Sequence, residues 1–94
     1  MLLSLYQDYL EQSVLLNQIL SQLAIKYPLV KFLKIVATKC IENFPDENVP
    51  MVICYKAGKL AFKMDSLDKH IKISTGTVEN FLMGHGIFNV DINN

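Results

Sequence analysis

Arginine and tryptophan are absent from this 94-residue chain, and all nine basic residues are lysine. Arginine is the usual side chain for bidentate contact with phosphates and base edges, so the chain lacks the chemistry expected of a nucleic-acid reader. No charge of one sign dominates: nine acidic residues cancel the nine lysines. No global field therefore draws the chain to nucleic acid or acidic lipid. Cysteine is scarce. Cys40 and Cys54 are too few for a disulfide scaffold. No apolar run approaches the roughly 20 residues of a membrane-spanning helix. Met1-Leu2-Leu3 is followed by Ser4 and by polar residues from Gln7 on, unlike a signal peptide. No glycine-rich phosphate loop and no Ser/His/Asp pattern is found. The chain reads as a reduced, cytoplasmic, soluble domain, 1–88, followed by a loose tail, 89–94.

What is present centres on residues 43–62, NFPDENVPMVICYKAGKLAF. A polar turn ends on Val49-Pro50. Two β-rich runs, 51–55 and 60–63, flank Lys56-Ala57-Gly58-Lys59, the pattern of a hairpin whose Gly58 supplies a positive φ. Proline at the mouth of a strand cannot donate a ladder hydrogen bond. It either marks the strand's start or is held cis.

Upstream, 2–6 is short and apolar and could be helix or strand by periodicity alone. Asp8-Tyr9-Leu10-Glu11 fits an N-cap with Glu three residues on, so a helix is predicted from Asp8 and 2–6 becomes a strand. Leu16, Ile19, Leu20, Leu23, Ala24 and Tyr27 repeat at three- and four-residue steps and form its apolar face. Pro28 stops it. Residues 30–37, VKFLKIVA, are β-branched and aromatic and predict a strand. Strand, helix and strand make a right-handed βαβ unit with parallel strands. A loop with a helical turn at 41–44 is expected before the hairpin. Residues 65–75 are polar and predict a surface connection. Val78, Phe81 and Leu82 predict a short helix ended by Gly84 or Gly86.

The candidate chemistry is thin. Cys54, inside an apolar strand, behaves as a small hydrophobe; Cys40 opens a loop and is the more accessible thiol. His70 and His85 have no cysteine or carboxylate at ligand spacing and read as solvated loop residues rather than a metal site. Lys63, Lys69 and Lys72 with His70 form either a solvated connection or a surface for an acidic partner. Glu42, Asp46 and Glu47 cluster beside Pro50, and turn chemistry accounts for Asp46 and Asn48.

The order β-α-β, hairpin, α is that of the C-terminal part of the thioredoxin fold, Pro50 included. Leu5-Tyr6, Leu15-Leu16-Asn17, Leu23-Ala24, Lys26-Tyr27-Pro28, Val30-Lys31-Phe32, Cys40-Ile41, Pro45-Asp46 and Pro50 with Tyr55 and Gly58 come in one order at matching spacing. Together they resemble the thioredoxin-like domain of phosducin-like proteins, above all the subgroup that includes the viral inhibitor-of-apoptosis-associated factor. The resemblance covers 5–58 well and thins through 65–75. It implies an α/β, thioredoxin-like domain truncated at its N-terminus, without the fold's first strand and helix. It implies co-chaperone work with the cytosolic chaperonin CCT on actin, tubulin or G-protein β subunits; some members bind Gβγ, through an N-terminal helical region without a match here.

The resemblance also assigns positions. Thioredoxins carry Cys-x-x-Cys where this chain has Leu10-Glu11-Gln12-Ser13, at a helix N-terminus that stabilises thiolate. Their buried carboxylate matches Ser4, and its lysine partner Lys34. Dithiol catalysis is therefore not expected, and no cofactor is implied. In that strand order Cys40 and Cys54 are separated by one strand, so about two spacings of ~4.8 Å keep them from bridging. The predicted recognition surface comprises Asp8, Leu10, Glu11, Gln12, Ser13, Val49 and Pro50, with Val49-Pro50 cis. The alternative function is a monothiol redox protein using Cys40. Strand 30–37 would be an open apolar edge, with Lys31 and Lys34 as gatekeepers, and self-association through it is expected.

Overall fold

The computed structural model describes residues 1–88; the expected loose tail, 89–94, lies outside the described residues. The chain runs β1 (Leu2–Tyr6), α1 (Glu11–Lys26), β2 (Phe32–Val36), α2 (Ala37–Cys40), β3 (Met51–Lys56), β4 (Lys59–Met64) and α3 (Thr75–Gly84), with short 3-10 turns at Asp46–Asn48 and Leu67–Lys69. One four-stranded sheet has the order β2-β1-β3-β4. β1 is parallel to β2, with Leu2 opposite Phe32 and Tyr6 opposite Val36. It is antiparallel to β3, with Leu2 opposite Cys54 and Leu5 opposite Met51. This is the mixed α/β arrangement expected of a thioredoxin-like domain, and β2 forms one edge.

Alternation along β1 splits the core in two. Leu2 joins Val52, Cys54, the α1 face (Leu16, Ile19, Leu20, Leu23) and Val78 and Leu82 of α3. Leu5 joins Ala37, Val49 and Met51, with Leu3, Ile35, Phe44 and Ile53 packed against them. Both long helices thus cover one face of the sheet. Buried Ser4 finds its partner on α1, donating to Asn17 Oδ1 at 3.0 Å.

Local chemistry explains the hairpin. Ala57 and Gly58 both have positive φ (52° and 78°) in a two-residue turn between paired Lys56 and Lys59. Two positive values match the right-handed twist of the strands. A bulge follows between Cys54 and Tyr55. Ser74 caps α3 in a reciprocal box with Thr77. Gly86, at φ 74°, closes its C-terminal end, where the Ile87 amide donates to the Leu82 carbonyl at 3.1 Å.

Several boundaries differ from expectation. α1 starts at Glu11, not Asp8, and its N-cap, Leu10, makes no side-chain cap. Asp8 and Tyr9 form a turn closed by the Leu10 amide on the Gln7 carbonyl at 3.2 Å. Ser13 makes the anchoring bonds: its hydroxyl donates to the Gln7 carbonyl at 2.6 Å and accepts from the Gln7 amide at 3.2 Å. The second strand is shorter than the predicted 30–37, because Ala37 turns into α2 and the Val30 amide bonds back to the Tyr27 carbonyl at 3.0 Å. The helical turn falls at Ala37–Cys40, and 41–44 is only a turn, with Asn43 left-handed at φ 61°. Cys40 ends α2 rather than lying on a strand. Both cysteines are free. The 65–75 connection is not purely superficial: Ser66, Leu67 and Ile73 are buried.

The C-terminal end of α1 is tied to the middle of α3. Lys26 Nζ lies 2.6 Å from Glu79 Oε2, and the Tyr27 hydroxyl donates to the same oxygen at 2.5 Å. The Tyr27 ring stacks on Phe88, centroids 3.8 Å apart. The hydrogen bond from Lys26, then that from Tyr27, holds the Glu79 carboxyl below its usual value of 4.5. Glu79 holds the Tyr27 hydroxyl above its usual 10.0. The depressed carboxyl contributes stability above its unfolded value and loses it as pH falls through the folded one. The raised phenol contributes below 10.0 and loses it as pH rises through its folded value.

Two outcomes follow. Glu79→Gln should unfold more readily than the parent in urea at neutral pH, and the gap should close as the solution is acidified below about pH 4. A gap independent of pH would assign the effect to packing instead. Ser13→Ala leaves the buried Gln7 amide without a partner and should cost about 1–3 kcal/mol of unfolding free energy in the same assay.

Candidate functional site

The turn from β1 into α1 meets the loop that carries Pro50. Parallel pairing of β1 with β2 and antiparallel pairing with β3 bring Tyr6, Val36 and Met51 to one end of the sheet. The first turn of α1 therefore stands over the mouth of β3. The Val49-Pro50 bond is cis, as predicted.

Side-chain exposure divides the predicted surface. Asp8 and Glu11 are exposed, and Leu10 and Gln12 are half-buried. Ser13, Val49 and Pro50 are buried; they shape the corner from beneath. The Val49 amide donates to the Asp46 carbonyl at 3.0 Å, so that donor is already used within the chain.

The corner is braced from two directions. The Tyr9 hydroxyl donates to Asp46 Oδ1 at 2.7 Å, tying the β1–α1 turn to the Pro50 loop. That hydrogen bond, before any other cause, raises the Tyr9 hydroxyl above its ordinary value and keeps it neutral. From the other side, the Leu67 amide donates to the Pro50 carbonyl at 2.9 Å, and the Ser66 amide to the Asn48 carbonyl at 3.0 Å. The Ser66 hydroxyl adds a bond to the Glu47 carbonyl at 2.5 Å. A left-handed Ser66, φ 50°, directs the chain into these contacts.

Between these segments lies an open depression of about 250 Å³. Leu10, Glu11 and Gln12 line it from α1, Asp46, Glu47 and Val49 from the loop, and Asp68 and Lys69 from the 3-10 turn after β4. Tyr9, Asp68 and Lys69 were not foreseen. An aromatic within the polar turn Asp8-Tyr9 was the one sequence signal for the first. Asp68 and Lys69 reach the corner only through the tertiary bonds of Ser66 and Leu67.

Neither thiol occupies the corner. Cys54 is buried opposite Leu2, four steps along β1 from Tyr6, roughly 13 Å away. Burial pushes its thiol above the ordinary value, so it is a poor nucleophile. Cys40 is exposed at the end of α2. Leu10-Glu11-Gln12-Ser13 holds the first turn of α1 without a sulfur atom, and Ser13 Oγ is committed to Gln7 and Leu10. Among the described residues no group of three His, Cys, Asp or Glu is placed to hold a metal ion, and no helix is long and apolar enough to cross a membrane.

Comparison with known proteins agrees with this fold. The family model described as Phosducin matches residues 1–91. Phosducin-like protein 1 of Dictyostelium discoideum is 48% identical over 59 residues, covering 63% of this chain and 19% of the relative. Phosducin-like protein 3 of Mus musculus is 44% identical over 59 residues, covering 63% and 25%. Phosducin of Bos taurus is 34% identical over 87 residues, covering 88% and 36%. The chain thus spans about a fifth to a third of the length of the curated relatives it matches. A family model that covers nearly the whole chain shows that the chain belongs to the phosducin family.

Proposed function

We propose that this chain acts without catalysis, as a phosducin-like co-chaperone or adaptor that works in the cytosol with the chaperonin CCT and its clients actin, tubulin or a G-protein β subunit. The unit that carries this role is 1–88. Its recognition surface is the braced corner: Asp8, Leu10, Glu11 and Gln12 offer side chains, and Ser13, Val49 and Pro50 set the backbone beneath them. The observation that supports this reading best is the first turn of α1. It keeps the thioredoxin-like geometry, helix N-terminus facing a cis-proline loop, while Leu10-Glu11-Gln12-Ser13 contains no thiol. What remains at such a corner is a shape for binding. Contact with Gβγ is a weaker proposal, because the residues described here carry no counterpart of the helical region that the family uses for it.

Self-association belongs to the same reading. β2 is an edge strand with Leu33 exposed, and an unpaired edge is a template for a further strand. Lys31 and Lys34 oppose this by placing charge along the strand.

Three measurements bear on these statements. A photo-crosslinker at Asp8 or Gln12 should capture purified chaperonin or its bound actin, and one at Ile25, exposed near the far end of α1, should not. Equal capture from Ile25, or none from the corner, would remove the corner from the proposal. Insulin reduction with dithiothreitol should run at the background rate, since no second thiol is placed to resolve a mixed disulfide. Acceleration that disappears in Cys40→Ser would instead promote a monothiol redox function. Sedimentation at micromolar concentration should show association that Leu33→Lys weakens; a monomer at all concentrations would show the edge to be inert.

A further inference from the structure

We infer that the depression between α1 and the edge of β2 seats residues 89–94 of the same chain, which pair along β2 as a fifth strand with Val90 and Ile92 on the α1 side. The inference bears on the edge that the self-association reading uses, and it names the strand that a second copy has to displace there.

The described residues end on Phe88, and contacts fix where it stands. Its ring stacks on Tyr27 at 3.8 Å and lies 6.5 Å from the ring of Phe32. Phe32 is the first residue of β2, so the chain reaches residue 89 at the start of that strand, on the face that α1 and α3 cover. From there the six residues 89–94 span about 20 Å when extended, against about 17 Å for the five of β2. A segment that leaves the start of β2 along its edge runs parallel to it, and the topology accepts that direction. β4 is antiparallel to β3, which is antiparallel to β1, so β4 runs parallel to β1 and β2. With α3 on the same face as α1, the connection from β4 through α3 to 89–94 has the same hand as β1-α1-β2, and one hand dominates such crossovers.

The depression, about 160 Å³, lies alongside that edge. Asn17, Leu20, Ser21 and Ala24 line it as one stripe of α1 about 10 Å long, and Phe32 and Leu33 complete the lining from β2. Residues two apart in a strand put their side chains on one side about 7 Å apart, so such a pair fits within the stripe. The segment offers this pair: Phe88, Val90 and Ile92 alternate with Asn89, Asp91 and Asn93, the pattern of a strand with one covered and one wet face. Val90 and Ile92 are also β-branched, which favours a strand. Roughly 150 Å³ is room for a benzene-sized group, so the depression admits a branched aliphatic side chain. Charge agrees: Lys31 and Lys34 are the charged residues along the edge, and Asp91 is the one charged residue of the segment. The polar half of the alternation is what makes 89–94 read as a loose tail.

The test is nuclear magnetic resonance on the isotope-labelled 94-residue chain at two concentrations, with sedimentation of the same samples. The backbone protons of 89–94 should show close contacts to those of 32–36, and the methyl groups of Val90 and Ile92 to Leu20 and Ala24, equally at both concentrations. In Val90→Asp/Ile92→Asp the outward amides of β2 should exchange with solvent about tenfold faster. The same variant should associate more strongly than the parent, because its edge is bare. Asn89→Asp/Asn93→Asp, at the alternate positions, should leave exchange as it is. Contacts that are absent, that go to another surface, or that fade on dilution would overturn the inference, the last by making a second copy's segment the occupant. Equal exchange in the parent and Val90→Asp/Ile92→Asp, the same rise in both double variants, or an associating parent that Val90→Asp/Ile92→Asp does not strengthen would overturn it too. Contacts that hold in a chain monomeric with and without the substitutions would support it and remove the self-association reading alone.

Discussion

β1 is five residues long, and every other element is placed by it. It is hydrogen-bonded on both edges and buried on both faces, so its alternation is the constraint that the rest must meet. Leu2 commits one face to α1 and α3, and Leu5 commits the other to the Pro50 loop. A one-residue slip would exchange these sets and present Ser4 to the wrong layer. Ser4 itself resists such a slip, because its hydroxyl is satisfied by Asn17 only in the observed register.

The same strand keeps the buried sulfur from the corner. Cys54 is held at the Leu2 end, while α1 starts at the Tyr6 end. A thioredoxin-like frame activates a thiol by placing it at that helix start. Here the frame persists, and its position is taken by residues without a thiol that brace the turn. Ser13 is an example: it stands where a second cysteine would be in a redox protein, and its hydroxyl instead fastens the β1–α1 turn.

Features written in local chemistry were legible in the sequence. Gly58 marked the hairpin, Ser74 the start of α3, and Val49-Pro50 the corner. The α1 face was legible from its spacing, although its start was not. Asp8 and Glu11 imitate a capping pair, but the backbone enters the helix later because Ser13 bonds Gln7 across the turn. The run 30–37 reads as one strand, since no local signal announces that Ala37 packs beside Leu5 and bends into α2. At the site, the corner residues were legible by position, while Asp68 was hidden in a polar connection whose two apolar anchors, Leu67 and Ile73, are sparse enough to pass for surface.

Those anchors have a consequence for inheritance. Leu67 and Ser66 bond to the carbonyls of Pro50, Asn48 and Glu47 across the hairpin, so segments some twenty positions apart in the chain form one structural unit. Backbone partners of this kind do not prescribe side chains one by one; they prescribe length. An insertion between β4 and α3 would be silent in a surface loop, but here it would pull Leu67 out of register with Pro50. Drift in this lineage should therefore alter the exposed letters of 65–75 freely, its buried Ser66, Leu67 and Ile73 seldom, and its residue count hardly at all, except in descendants that have reshaped the Pro50 loop as well.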